Sequence, residues 1–405
     1  MIVMDEQAYQ DAVMAKLRQA DKGLSLLPHP ARLKAISELN GASDTDEVTR
    51  AIYVWSGMCE SLDLGQEAVE MLRDPAISIP TFLEVMTTRS SAFRSLVLRM
   101  SHDGANANFG NVEGMVMESR LRLLEWPVFQ TRDTLEQRLA LTDIGADMPC
   151  QFFRLPYDRI FLECGETRSS PLRIYNEQSG EHIFEGAYLE QFSKVLKGVP
   201  VRVVYIMLIG SPVGKAHLAD DAYYTLSVVF EDDADSLEAV LGRVFEHTRE
   251  KVRDNTSILP TGHFRDFGEK DRAAIRAAVF HVAKVLLYLN SQDARTEALK
   301  ERSALAKQLA GLKGGGKISK VQRKLQKAYD RILVGTPSLP RLDVQSAASG
   351  SQSAQKSAHW RRGHFRNQAY GPNWSLHRAV YIEPVLIHGE LESAVPSRKT
   401  YKIGN

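Results

Sequence analysis

The stretch Val199 to Gly210, VPVRVVYIMLIG, is the longest apolar segment of the chain and the feature that most constrains its fold. As a helix rising ~1.5 Å per residue it would span about 18 Å, well short of the roughly 30 Å hydrocarbon core of a bilayer, and it carries Arg202. Rich in valine and isoleucine and closed by Gly210-Ser211-Pro212, it reads as a buried strand. Its neighbours supply further strands. Gln151 to Cys164 alternates and is rich in Phe, Ile and Tyr, and Leu172 to Tyr175, His182 to Phe184 and Tyr223 to Phe230 follow between turn signals such as Ser179-Gly180. Hairpin-like spacing predicts one mostly antiparallel sheet.

Helical periodicity lies on both sides of this block. Residues 1–145 read as helical, with Val48, Ile52, Trp55 and Met58 on one face of Glu47 to Leu64, Asp44 and Thr45 placed to cap it, and Pro28, Pro30, Pro75 and Pro80 as punctuation. Asp235 to Arg253 is a helix beyond the strands. Asp271 to Asn290 is a stronger one, placing Ile275, Val279, Val282, Leu286 and Leu289 in the core. His281, beside that stripe, reads as a packed or surface histidine rather than a ligand. Two basic amphipathic segments, Arg295 to Leu312 and Lys317 to Leu333, flank Lys313-Gly314-Gly315-Gly316 and predict a helical hairpin with an apolar seam packed on the body. Ser346 to Ser357 is a polar linker, and Ala358 to Arg366 and Ala379 to Ile387 read as two strands. The expected class is α+β: an N-terminal helical region (1–145), a central mostly antiparallel sheet with packed helices (146–293), a basic helical hairpin (294–335) and a C-terminal β-hairpin segment (336–405).

Charge is distributed unevenly. Between Arg295 and Arg378 there are 17 basic and 4 acidic residues, and the rest of the 405-residue chain holds 34 basic and 46 acidic. Such a split points to a polyanion partner for one end. Three scattered cysteines, Cys59, Cys150 and Cys164, form no CxxC pair and suit a reducing cytoplasm. The N-terminus lacks a signal pattern, and no membrane segment is expected.

Catalytic motifs are weak. Gly311 to Ile318 (GLKGGGKI) follows a helix and puts Ile318 where a phosphate-binding loop needs a hydroxyl; Gly210 to Ala216 is one residue short. No G-x-S-x-G elbow occurs. Cys164 beside Gly165, with His182 nearby in sequence, suits a buried structural cysteine better than a nucleophile.

The informative segment is His359 to Gln368, HWRRGHFRNQ. As a strand it puts Trp360, Arg362, His364 and Arg366 on one face, with His359, Arg361 and Gly363 on the other. Arginine offers planar, bidentate contacts to phosphate, and aromatic rings stack on bases. The expected RNA-contacting residues are Trp360, Arg361, Arg362, His364 and Arg366, together with Lys317, Lys320, Arg323, Lys324 and Lys327 of the helical hairpin. Three competing readings stand beside this. Trp360 and Phe365 can be core anchors with the arginines paired internally. His359 and His364 can bind a metal, although no Cys or clustered acid completes the set, so neither a metal nor another cofactor is expected. His359, His364 and His377 with an arginine can cleave RNA by metal-free acid–base chemistry.

HWRRGHFRNQ, Tyr370-Gly371-Pro372 and Tyr381-Ile382-Glu383-Pro384 resemble the C-terminal signature of a widespread phage and mobile-element family that includes a type V-A anti-CRISPR protein. Met148 to Gly165, around Arg154-Leu155-Pro156-Tyr157, and the basic hairpin ending at Val334-Gly335 are similar to it as well. The resemblance implies a regulator in the host bacterial cytoplasm that lowers expression of a type V-A CRISPR effector nuclease. It would recognise the nascent N-terminal peptide of the effector and cause destruction of its mRNA at the translating ribosome. A binding regulator is expected ahead of the ribonuclease, and a structural or scaffolding phage protein is the third alternative.

Overall fold

The computed structural model describes residues 28–29, 66–91, 93, 116–117, 120, 124, 126–146, 148–167, 170–176, 180–213, 222–254, 268–313, 315–325, 328–337 and 359–387. The first elements described in full are two helices, α1 (Gln66–Arg73) and α2 (Ile79–Arg89). Ser78 caps α2 by accepting the Thr81 amide, and Pro80 sits in its first turn, where no amide donor is needed. Then come β1 (Val128–Thr131), α3 (Asp133–Ala140), β2 (Thr142–Ile144), β3 (Arg159–Glu163) and β4 (Arg173–Asn176). The long strands β5 (Gly180–Leu196), β6 (Val199–Pro212) and β7 (Ala222–Phe230) precede α4 (Leu237–Asp254) and α5 (Glu269–Leu289). Last come β8 (Thr296–Lys300), α6 (Glu301–Ala310), α7 (Gly315–Leu325), β9 (Asp330–Val334), β10 (His359–Arg361), β11 (Gly363–Tyr370), β12 (Leu376–Ile382) and β13 (Val385–Ile387).

The main sheet runs β7-β6-β5-β3-β1-β9-β8, with β4 also on β5. It is mostly antiparallel, but β1 lies parallel to both β3 and β9 at its centre. The apolar run is β6, and successive side chains enter two cores. Tyr205, Met207 and Ile209 join Tyr188 and Phe161 against Ile79, Phe82 and Met86 of α2. Val204, Ile206 and Leu208 face the α4 and α5 layer, where Ile275, Val279, Val282 and Leu286 are buried as the helical stripe predicts. Gly186, at an irregularity in the β5–β6 register, allows the close approach to β3; an added Cβ would stand 2.2 Å from the Leu162 carbonyl oxygen.

Several expectations change. Among the described residues strand structure begins at Val128 rather than near residue 146, because β1 and β2 are four- and three-residue strands that complete sheets built by distant segments. Gln151 to Cys164 holds a 3₁₀ turn at Cys150–Phe152 before β3. The basic segments are helical only in part. Thr296–Lys300 has helix-forming composition yet pairs as β8 with β9, so tertiary pairing overrides propensity. α6 and α7 are thus an excursion between two paired strands. Their seam residues Leu305, Leu309 and Ile318 are only half-buried, with Val321 alone fully buried, so the hairpin stands on itself more than on the body. Glu47 to Leu64 and Ser346 to Ser357 lie outside the described residues. Among the described residues no helix is long and apolar enough to cross a membrane.

The N-terminal layer is tied to the sheet through the fully buried carboxylate of Glu190 on β5. It accepts the Ile79 amide at 3.0 Å and Arg159 Nε at 2.8 Å, and lies 3.2 Å from Arg120, itself without exposure. Burial depresses Arg120 to about 10, with Glu190 opposing that shift. Glu190→Ala strands Arg120 in the core and removes the carboxylate partner of the partly buried Arg159, and is expected to cost about 3–5 kcal/mol. Arg276→Ala, which breaks an exposed pair with Glu238, is expected to cost less than about 1 kcal/mol. Chemical denaturation of the two variants checks the contrast.

Candidate nucleic-acid interface

The C-terminal signature builds a small sheet, ordered β12-β11-β2, and the separate pair β10-β13. Gly363 marks the passage between them. A Cβ there would meet the Ile382 carbonyl oxygen and Thr142 Oγ1 at 2.7 Å, and the Gly363 amide donates to the Leu141 carbonyl at 2.9 Å. Only glycine lets three backbone segments approach this closely.

From Gly363 onward the alternation predicted from sequence holds. Phe365 is buried, with Tyr381 opposite it on β12 and Ala379, opposite Asn367, on the same inner face. Phe365 packs on Tyr381 at 5.0 Å between centroids, and Tyr381 meets Tyr288 of α5 edge-on at 5.5 Å. His364 and Arg366 point outward and are exposed. Arg361 and Arg366 make no ion pair among the described residues, whereas Arg362 pairs with Asp143 of β2 at 3.0 Å in an exposed position. Trp360 is half-buried on β10, opposite Leu386. Lys317, Lys320, Arg323 and Lys324 lie exposed along α7; Lys327 lies outside the described residues.

The exposed aromatic group is one the sequence reading did not single out. Tyr370, Trp374 and Leu376 surround the β11–β12 turn, with Trp374 68 % exposed. Gly371 enters the turn at φ 76°, and Asn373 and Trp374 both hold left-handed backbone, at φ 51° and 59°. The guanidinium of Arg378 covers Tyr370 at 4.9 Å from the ring centroid and donates to Gln292 at 2.7 Å. The available signal was Gly371-Pro372-Asn373-Trp374, a turn sequence that puts an aromatic where no core can cover it.

The three histidines do not converge. His364 is on the outer face of β11. His377 pairs in register with Ala369, on the opposite parity, and its Nδ1 lies 3.0 Å from Asn367 Oδ1. Five residues of register separate them, about 17 Å along the strands. His359 belongs to the other pair, opposite Ile387. A general acid and base must both reach one phosphate, so this placement does not favour acid–base RNA cleavage.

Two other places bear on function. Cys164 is fully buried, and burial together with Glu136, Glu163 and Glu185 pushes its thiol well up, which disfavours a nucleophile. Burial likewise lifts Cys150 to about 12. His281 is buried, 2.9 Å from Glu136. An open cleft of about 660 Å³ lies beside Arg154 of the Arg-Leu-Pro-Tyr segment. Its arginines are engaged: Arg154 and Arg202 both hold Asp233 at 2.9 Å, and Arg202 also donates to the Phe153 and Cys150 carbonyls. The carboxylates of Asp158, Glu231 and Asp232 stand exposed around it.

Residues 129–389, well over half the chain, match the model of the AcrVA2-like family, described as anti-CRISPR type V subtype A2. No curated protein matches the chain. Among solved structures, the crystal structure of AcrVA2 is similar at 10 % identity and TM-score 0.43, covering 84 % of this chain and 99 % of that one.

Phe365→Ala is expected to destabilise the protein by about 3–5 kcal/mol, since it leaves a cavity beneath the small sheet against Tyr381. Arg366→Ala, its neighbour on the outer face, is expected to stay within about 0.5 kcal/mol of the parent. Urea denaturation of both tests which face carries the fold.

Proposed function

Because this chain belongs to the anti-CRISPR type V subtype A2 family, we propose that it lowers expression of a type V-A CRISPR effector nuclease in the host cytoplasm by engaging the translating complex that makes it. In this reading the protein is a binding regulator rather than an enzyme. RNA lies on the C-terminal sheet and turn, and the basic face of α7 adds electrostatic attraction. The observation that supports it is the outer face of β11 with the β11–β12 turn, where Arg366, Tyr370 and Trp374 are exposed on a sheet packed from beneath by Phe365 and Tyr381; Arg361 is exposed on the separate strand β10. Guanidinium groups hold phosphates, and the aromatic faces are available to unstacked bases.

The nascent N-terminal peptide of the effector is proposed to enter the cleft beside Arg154. Asp158 and Glu231 are exposed to meet the positive charge of a peptide, with Asp232 beside them holding the Ala234 amide, whereas the arginines below are already neutralised by Asp233 and Glu190. Cleavage of the mRNA is assigned to another nuclease, in keeping with the separation of His364 and His377.

RNA binding measured across a salt series, with 5′-labelled RNA to report cleavage, tests this. Affinity is expected to fall steeply with salt, without cleavage. Trp374→Ala is expected to weaken binding by roughly 5- to 100-fold, the worth of one stacked base. The Arg361→Ala/Arg362→Ala double variant is expected to reduce the salt slope by about 1 to 2 while the protein stays folded. Unchanged affinity in both variants overturns the assignment, and cleavage lost on His364→Ala would replace it with a ribonuclease.

A further inference from the structure

We propose that Glu136, Cys164 and His281 form a buried site for one divalent transition metal ion, zinc by the chemistry of its donors. Three elements distant in sequence meet there. Glu136 stands on α3, Cys164 directly follows β3, and His281 lies in the middle of α5. One donor atom from each falls within 4.8 Å of the other two. Sulfur, imidazole nitrogen and carboxylate oxygen together suit zinc; calcium and magnesium prefer oxygen alone.

Proximity alone would not distinguish a site from an ordinary buried ion pair. The orientation of His281 does. Its side chain is 8 % exposed and its Nε2 lies 2.9 Å from Glu136 Oε2, yet that oxygen is out of line with the ring N–H. Nε2 therefore has no hydrogen bond among the described residues. Buried polar atoms are nearly always satisfied. A cation lying off the direct line between nitrogen and carboxylate would satisfy both.

The surroundings hold the donors as a metal site requires. The Thr131 hydroxyl donates to Glu136 Oε1, leaving Oε2 turned toward the imidazole. Phe184 packs edge-on against the His281 ring at 6.3 Å between centroids, which fixes the ring and limits water. Glu163 and Glu185 are buried nearby, occupied by the Tyr329 and Ser211 hydroxyls respectively, so the site sits in a negative field that favours a cation.

Zinc bonds of about 2.0–2.3 Å in tetrahedral geometry place donors roughly 3.3–3.8 Å apart. Side-chain rotation that draws Glu136 slightly off His281 and brings Sγ inward reaches that spacing. Binding forms a metal–sulfur bond as the thiol releases one proton to solvent, so one positive charge is exchanged for two. Three protein donors leave the fourth position to water. The ion would staple α3 and α5 to the parallel centre of the sheet.

The test uses the full chain, purified without chelator and titrated with zinc and with cobalt. The expected result is about one bound ion per chain, a raised Tm, and a cobalt spectrum with a thiolate charge-transfer band. X-ray absorption of the zinc form is expected to show one sulfur at about 2.3 Å among nitrogen and oxygen donors. Cys164→Ala and His281→Gln are expected to abolish stoichiometric binding, and Cys150→Ala to retain it. A nitrogen/oxygen-only shell, substoichiometric binding by the parent protein, or full binding by folded Cys164→Ala each overturns the site. The absorption spectrum decides even where a variant fails to fold.

Discussion

The structure depends on a sheet that is covered on both faces. β6 has almost no polar side to turn toward water, so helices must pack on each side of it: α1 and α2 over Tyr205, Met207 and Ile209, α4 and α5 over Val204, Ile206 and Leu208. Apolar burial drives this assembly, but it says little about register. A one-residue slip exchanges the two apolar sets, and both cores would accept most of the exchanged residues. The specific register comes from positions that tolerate no exchange. Gly186 must face the Leu162 carbonyl, and Gly210 must lie beneath Ile174, where an added Cβ would stand 2.5 Å from the side chain. Glu190 must meet Arg120, Arg159 and the α2 amide together. A buried ion pair recovers its desolvation cost only in good geometry, so a slipped sheet with Glu190 elsewhere would carry three uncompensated groups.

This explains which parts were legible in sequence. β6 and the α5 stripe are long, and a single periodicity decides each of them. β1, β2, β8 and β9 are short, and their pairing is non-local: Phe129 stands between Leu162 and Ile332. No local pattern within Val128–Thr131 announces parallel neighbours so far away. Thr296–Lys300 failed for a different reason, since its composition favours a helix and only the partner Asp330–Val334 makes it a strand. Ile332, at the end of the segment Lys317 to Leu333 that reads as helical, lies in β9 for the same reason, and the run Ile332-Leu333-Val334 is a strand signal in its own right. The residues Glu136, Cys164 and His281 show no motif spacing because each comes from a different element, α3, the end of β3 and α5.

Within the signature, alternation was legible and the break at Gly363 was not. The face carrying Arg362, His364 and Arg366 is outward, as a strand requires, but Trp360 belongs to another strand pair and is half-buried. The rigidity of that outer face traces back to α5. The helix that supplies Ile275, Val279 and Val282 to the main core also offers Tyr288 to Tyr381, and through it anchors Phe365 and the whole of β11. The backbone that carries Arg366 is thus held in place by the aromatic packing beneath it, while the side chain itself stays in solvent.

The β11–β12 turn carries the same argument further. Two successive non-glycine residues in left-handed backbone cost of order 1–3 kcal/mol each unless the surroundings demand them. Asn373 tolerates that conformation; tryptophan does so poorly. Trp374 gains no burial in exchange, because its ring is mostly in solvent. Neither core packing nor turn chemistry therefore accounts for an indole at this position. A polar or small residue would serve the turn better, and glycine would relieve the backbone altogether. Beside it, Arg378 covers one face of Tyr370 and fixes that ring through Gln292. Strain without stabilising contacts, next to an aromatic held by a guanidinium, sets this turn apart from the packed strands it joins.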